Sequence, residues 1–125
     1  MSEADAEVDR SGREPVQPAW AREAHTAWQR LLPELRAAGW QIEVTCFNAP
    51  VQLEGAAPAG DLFYYRCRWN ACELSIGGDD PVATALWRGE QTLDDRYAAS
   101  FLHPDDAVRI LLELHTEWLG QRDSG

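Results

Sequence analysis

Residues 62–76 read LFYYRCRWNACELSI and contain the strongest structural signal in the chain. Apolar and polar side chains alternate over Leu62–Trp69 and again over Cys72–Ile76, which predicts two half-buried strands that turn near Asn70. The inward-facing sets are Phe63, Tyr65, Cys67 and Trp69 on the first strand and Cys72, Leu74 and Ile76 on the second. Since both sets are apolar, the two strands form a β-hairpin with one face on the core.

Charge also favours this hairpin. Each of the two possible two-residue turns places an arginine opposite Glu73, Arg66 in one register and Arg68 in the other. Opposite charges on facing strands stabilise a pair. The sequence therefore supports the hairpin but does not choose its register.

The residues before the hairpin predict a helix, a strand and a long connection. An apolar stripe at steps of three and four residues indicates a helix over 18–38 with a left-handed cap at Gly39, and Pro33 predicts a kink or a restart inside it. The stripe comprises Trp20, Ala24, Ala27, Trp28, Leu31, Leu35 and Ala38. The period then changes to two over 40–46, which indicates a strand. Residues 48–60 are rich in Pro, Gly and Ala and predict a connection with a short extended piece at Val51–Leu53.

The residues after the hairpin predict one or two further strands and a last helix. We expect a turn at 77–81, a fourth strand at Val82–Arg88 and a second turn at Gly89–Asp95. Tyr97, Ala99 and Phe101 alternate, which leaves a fifth strand at Arg96–Leu102 open. The last helix begins near Pro104 and ends at Gly120, and its apolar stripe is Ala107, Ile110, Leu111, Leu114 and Trp118.

Together these segments predict an α+β fold with the order α-β-β-β-β(-β)-α. Short hairpin connections imply an antiparallel meander of four or five strands, with the N- and C-terminal helices packed on one face. Residues 18–120 form a single domain. Residues 1–17 are acidic and poor in apolar side chains, so we expect a flexible tail there, and residues 121–125 are expected to be a flexible C-terminus.

Composition limits the classes of partner. The 125 residues include 11 basic and 21 acidic side chains, a formal net charge of −10 that opposes binding to nucleic acid. No apolar run is long enough to span a membrane, and the N-terminal residues lack the features of a signal peptide. We therefore expect a cytoplasmic protein whose partner is a protein, of basic character, and neither a nucleic acid nor a membrane.

The three cysteines fall on inward positions. Cys46, Cys67 and Cys72 lack the paired spacing of a zinc site, and their odd number favours buried, reduced thiols. Cys67 and Cys72 face each other in one hairpin register, so a cross-strand disulfide is the less favoured alternative. No metal site and no cofactor is predicted.

Other residues with chemical potential have simpler explanations. His25, His103 and His115 are scattered in sequence, and His103 fits a helix cap better than a catalytic base. The acidic pairs at 79–80, 94–95 and 105–106 fall in turns, where aspartate is favoured, although two pairs brought together could hold a divalent cation. The tryptophans are Trp20, Trp28, Trp40, Trp69, Trp87 and Trp118, and at least five of them have a packing explanation.

The outer sheet face offers the best candidate site. Its predicted partner-binding residues are Tyr64, Arg66, Arg68, Glu73 and Arg88. Arginine and tyrosine are enriched at protein interfaces, so we expect a non-catalytic protein-interaction domain that acts as an adaptor, an inhibitor or a toxin-neutralising protein. It would bind through this face or through its acidic loops. A solvated face with cross-strand ion pairs is the simpler interpretation.

Two alternatives belong to other classes. The first is a small-molecule-binding protein or enzyme with an aromatic pocket between sheet and helices, lined by Tyr65, Trp69, Trp87, His103 and Trp118. The second is a homodimer formed through an edge strand or the outer face, and it is compatible with either function.

Overall fold

A computed structural model describes residues 19–46, 51–94, 99 and 102–124. Its elements are α1 (Ala19–Ala37), β1 (Gln41–Cys46), β2 (Val51–Ala56), β3 (Leu62–Arg68), β4 (Ala71–Ile76), α2 (Pro81–Thr84), β5 (Trp87–Thr92) and α3 (Pro104–Ser124). The five strands form one antiparallel sheet in the order β1-β2-β3-β4-β5. The predicted α+β meander with a helix at each end is confirmed.

Helix α1 presents an apolar stripe to the sheet. Its buried residues are Ala21, Ala24, Ala27, Trp28, Leu31, Leu32 and Leu35. The helix runs unbroken through the exposed Pro33, so the predicted restart does not occur. It ends as predicted at Gly39, whose φ is 107°, and the Trp40 N–H donates to the Leu35 carbonyl. Trp20 is 43% exposed, so its assignment to the apolar stripe was wrong.

The segment predicted as a long connection contains a full strand. In β2, buried Val51 and Leu53 alternate with the more exposed Gln52 and Glu54, and the strand pairs with both β1 and β3. Gly55 has a φ of 148°, and a side chain there would collide with the Gln41 carbonyl of β1. Glycine therefore allows the close approach of two strands here, where its presence in the sequence had indicated a loop.

The second half of the sheet also differs from the prediction at 82–95. Asp80 caps α2 by accepting the N–H groups of Val82 and Ala83, and Pro81 suits the first helical turn, so Val82 begins a short helix and not a strand. Strand β5 then covers Trp87–Thr92. Its first two residues end the predicted strand, whereas a turn was expected from Gly89 onward. The alternative fifth strand at Arg96–Leu102 lies mostly outside the described residues.

Helix α3 extends beyond its predicted end. Pro104 opens it, with Asp105 and Asp106 in the first turn, but it continues through Gly120 to Ser124. In the last turn the Arg122 guanidinium lies 2.9 Å from the Asp61 carboxylate, which ties this part of the helix to the residue before β3. Residues 121–124 are therefore helical, beyond the predicted helix end at Gly120, while residues 1–17 lie outside the described residues.

One core lies between the inner sheet face and helices α1 and α3. Its fully buried large side chains include Trp28, Leu53, Phe63, Tyr65, Leu74, Ile76, Ile110, Leu111 and Leu114. The Tyr65 hydroxyl donates a 2.6 Å hydrogen bond to the Ala107 carbonyl of α3. This buried bond fixes the sheet against the C-terminal helix.

Cys67 and Cys72 face each other across the β3–β4 hairpin and form a disulfide. The expectation of reduced thiols was therefore wrong for this pair, because the hairpin register puts the two residues directly opposite one another. Both are completely buried.

A helix that crosses a membrane must be both long and apolar. None of the helices of the described residues combines the length and the apolarity that crossing a bilayer requires.

Candidate functional site

The strand register defines two rows of side chains on the outer sheet face. One row contains Glu43, Glu54, Tyr64, Ser75 and Arg88, in strand order. The next row contains Gln52, Arg66, Glu73 and Glu90. The structure thus places four of the five predicted partner-binding residues in two adjacent rows.

The hairpin register is the one that pairs Arg66 with Glu73. The turn consists of Trp69 and Asn70, and Trp69 adopts a φ of 58°, which is uncommon for a bulky side chain. Trp69 is 59% exposed, so its predicted inward position was wrong. Since the register fixes the outer rows, Arg66 lies at the centre of the outer face.

The other two arginines have intramolecular partners. The Arg68 guanidinium lies 4.3 Å from the ring centroid of Trp69. Arg88 donates from Nε to the Ser75 hydroxyl at 3.2 Å and from its guanidinium to the Val82 carbonyl at 2.9 Å. Arg88 therefore fastens α2 to the outer face of the sheet.

This packing of α2 creates a groove on the outer face. The groove has a volume of about 300 Å³ and is lined by Glu43, Glu54, Gly55, Leu62, Phe63, Tyr64, Asp79, Asp80, Pro81 and Val82. Its described lining therefore has four carboxylate side chains and no basic one. Two large apolar side chains, Leu62 and Val82, are 41% and 59% exposed there. We call this feature the outer groove.

Carboxylates also face each other directly on the outer face. Glu43 lies opposite Glu54 in the β1–β2 pair, and Glu73 lies opposite Glu90 in the β4–β5 pair. Like charges at directly opposed positions destabilise a sheet. The distribution of charge on this face is therefore not the one that strand pairing alone would favour.

The residues of the alternative aromatic pocket are only partly brought together. Trp87 and Trp118 pack with ring centroids 6.3 Å apart. Tyr65 is completely buried, and this burial raises the pKa of its hydroxyl far above the ordinary value. Trp69 projects from the hairpin turn, and His103 is exposed at the start of α3. The five side chains thus do not line one cavity.

His103 acts as a helix cap, as the sequence favoured. Its Nδ1 accepts the Asp105 N–H at 3.1 Å. It borders a surface groove of about 460 Å³ between α1 and α3, which the 2.7 Å ion pair of Arg30 and Asp105 crosses. These groups stabilise the helix pair, and they present no nucleophile beside a base.

Two other ionisable groups are perturbed by their surroundings. Partial burial against the Trp40 ring, at 4.8 Å between centroids, lowers the pKa of His115 by desolvation. The Gln91 amide donates to the Glu113 carboxylate at 2.8 Å, and this bond, helped by Arg109, lowers the pKa of Glu113. Neither shift is coupled to a reactive neighbour.

An acidic groove could in principle attract a metal ion, which needs several ligands close together. Within residues 19–46, 51–94, 99 and 102–124, no three His, Cys, Asp or Glu side chains are grouped closely enough to hold a metal ion. The four carboxylates of the groove are thus not gathered three at a time around one point.

Sequence reasoning found the outer face but missed the groove. Glu54 was hidden in the supposed connection, although the alternation of Val51 and Leu53 was the signal that could have placed it. Asp79 and Asp80 were assigned to a turn and to the acidic loops, but their place beside the outer face was not predicted, since the return of α2 onto the sheet depends on the tertiary contact of Arg88 with Val82.

The chain was compared with known proteins at three levels. No protein family, no curated protein and no solved structure matches it.

Proposed function

We propose that this domain is a non-catalytic protein-interaction module that binds a basic segment of a protein partner in the outer groove. The observation that carries the proposal is the direct opposition of Glu43 and Glu54 at the side of a groove whose described lining has no basic side chain. A bound cation from another protein would offset the repulsion that the isolated domain retains.

The rest of the groove supplies apolar and aromatic contact area in addition to charge. The exposed surfaces of Leu62 and Val82 and the ring of Tyr64 offer contact area beside the carboxylates. A segment that combines arginine or lysine with one apolar side chain would match this surface. The net charge of −10 would also accelerate the encounter with a basic partner.

Such a module would act as an adaptor, an inhibitor or a toxin-neutralising protein, in which the acidic groove covers the basic site of its partner. The central Arg66–Glu73 pair borders the groove row, so we include Tyr64, Arg66 and Glu73 in the contact surface. Arg68 and Arg88 contribute indirectly, through the Trp69 ring and through the position of α2.

A cytoplasmic location is part of the proposal. Cytosolic reductants keep most thiols reduced, so this location implies that the Cys67–Cys72 pair is reduced in source cells. Thiol labelling of denatured protein, after acid quenching of source cells, decides the matter. Labelled Cys67 and Cys72 support the cytoplasm, whereas protection until reduction contradicts it.

The binding proposal is tested by capture with charge-matched baits. Glu43→Gln/Glu54→Gln removes the opposed pair, while Glu23→Gln/Glu117→Gln removes two exposed carboxylates from the helices with the same change in net charge. These 125 residues contain no lysine, so coupling through amines does not modify a side chain of the groove.

We expect a stoichiometric protein to be held by the wild type and by the helix control but lost from the groove variant. Arg66→Glu then shows whether the contact extends to the second row, and the double variant Arg66→Glu/Arg68→Glu whether it reaches the hairpin end beyond it. Equal capture by the groove variant and the helix control would contradict the proposal, provided that all baits melt at similar temperatures.

A further inference from the structure

Strand β5 is an edge of the sheet. It pairs with β4 on one side, and among the described residues no strand lies on its other side. The strand comprises the six residues Trp87–Thr92, whose outer-face side chains are exposed. An edge of this kind presents unpaired backbone N–H and C=O groups to which another strand can add.

The charges of β5 are complementary to themselves. The strand reads WRGEQT, with Arg88 and Glu90 on either side of Gly89. If a second copy pairs antiparallel about a two-fold axis at Gly89, Arg88 of each copy lies opposite Glu90 of the other. Opposite charges at directly facing positions stabilise antiparallel strands, and this arrangement supplies two such pairs.

The same pairing would relieve a repulsion inside the monomer. Glu90 lies directly opposite Glu73 of β4, and Glu73 lies opposite Arg66 of β3. The outer row thus ends at the β5 edge with two adjacent carboxylates. Arg88 of a second copy would extend that row with a cation, so Glu90 would gain a partner that the monomer does not place beside it on this row.

The centre of the edge is apolar on its inner face. A side chain at Gly89 would collide with the Trp87 ring, which shows that this ring covers the glycine. Trp87 is half-buried and packs against Trp118. In the two-fold arrangement the two Trp87 rings approach the axis from both copies, and aromatic side chains beside an edge glycine are a known means of stabilising strand pairing.

We propose that a second copy of this chain is the occupant of the β5 edge, forming a dimer with a continuous sheet of ten strands, five from each copy. The dimer is specified by Arg88, Gly89 and Glu90. It uses a different surface from the proposed function, because the outer groove is formed by α2 and strands β1 to β3. Arg88 is the one residue of the three that also positions α2, so Glu90 is the position that tests the dimer without touching the groove.

Sedimentation velocity on the full chain over a concentration series tests the dimer. We expect a monomer–dimer equilibrium for the wild type. Arg88→Glu and Glu90→Arg should each weaken dimerisation by roughly tenfold or more, because each reversal converts both interchain pairs to like charges. Glu23→Arg on α1 changes the net charge as Glu90→Arg does and should leave the equilibrium unchanged.

Two combinations of these substitutions distinguish a loss of interchain charge pairing from a folding defect. The double variant Arg88→Glu/Glu90→Arg restores complementarity within a homodimer, and an equimolar mixture of the two single variants restores it within a heterodimer. Both should recover dimerisation. This matters because Arg88 also bonds to Ser75 and Val82 within its own chain.

Three results would overturn the dimer: a wild type that stays monomeric at every concentration, a dimer unaffected by Glu90→Arg, or a mixture of single variants that stays monomeric. Glu43→Gln/Glu54→Gln should keep the dimer while it loses the partner of the outer groove. The two proposals therefore fail separately.

Discussion

The two faces of the sheet place opposite demands on alternate residues of the same strands. On the inner face, Tyr65 and Leu74 are completely buried between the strands and helix α3. On the outer face, Glu73 is exposed beside Leu74 and lies opposite another glutamate. The inner residues are thus explained by packing, whereas strand pairing does not explain the opposed carboxylates of the outer face, which the proposed function assigns to a partner.

The largest expected effect on stability comes from shortening a buried side chain of the inner face. Leu74→Ala removes a fully buried side chain and leaves a cavity, so we expect it to lower the free energy of unfolding by about 2–5 kcal/mol. Glu73→Ala, one residue earlier, should change it by less than about 0.5 kcal/mol. Urea denaturation of both variants measures the difference, and similar losses would show that the two faces are not distinct.

The inner face has one polar bond whose loss should cost less. Tyr65→Phe leaves the Ala107 carbonyl without the hydroxyl that donates to it, so we expect a loss of about 1–2 kcal/mol in the free energy of unfolding. Because the Tyr65 pKa is raised, the hydroxyl stays protonated and the loss should be equal at pH 7 and pH 9. A loss that appears only at pH 7 would contradict this account of the bond.

The outer face should respond in the opposite direction. Glu54→Gln removes the repulsion from Glu43, so we expect a gain of about 0.5 kcal/mol in stability. The same change should weaken binding of a basic partner. Thermal melting together with capture checks both parts, and a variant that is less stable would remove repulsion as the explanation of this pair.

The smallest expected effect is a pH dependence of stability caused by His115, a partly buried residue of α3. Burial lowers the pKa of His115, so the unfolded chain binds this proton more readily than the folded one. Stability should therefore fall as the pH drops through the ordinary histidine range, with Asp61 and Arg122 acting on the same ring in opposite directions.

His115→Gln should make the melting temperature less sensitive to pH between pH 8 and pH 6. This window lies above the range in which Glu113 and other carboxylates gain protons. His25→Gln, on the exposed face of α1, is the matched control. Equal pH dependence of the melting temperature in the wild type and His115→Gln would show that His115 does not cause it.

Periodicity in the sequence predicts strands and helices well, but glycine is a poor guide to whether a residue lies in a loop or a strand. The alternation over 62–76 and the cap at Gly39 depend on near neighbours in the chain, and the structure has both. Gly55 and Gly89 resembled loop residues, yet both lie in strands. They are glycines because the Gln41 carbonyl and the Trp87 ring come too close for a side chain. Such contacts are tertiary, so a local pattern does not reveal them.

The candidate site divides in the same way. Tyr64, Arg66, Glu73 and Arg88 share the outer face because strand alternation requires it. The outer groove depends on where α2 lies, and Asp80 and Pro81 favour that helix without specifying the surface against which it packs. The contact of Arg88 with Val82 holds α2 in place. Strand alternation predicts that Arg88 lies on the outer face, but it does not predict this contact.

The strand order also has a kinetic consequence. Every strand pairs with its neighbour in sequence, so the sheet can assemble hairpin by hairpin through short loop closures. The packing of α1 against α3 joins the two ends of the described chain and requires the longest closure. We therefore expect the contact between the terminal helices to form later in folding than the hairpins of the sheet.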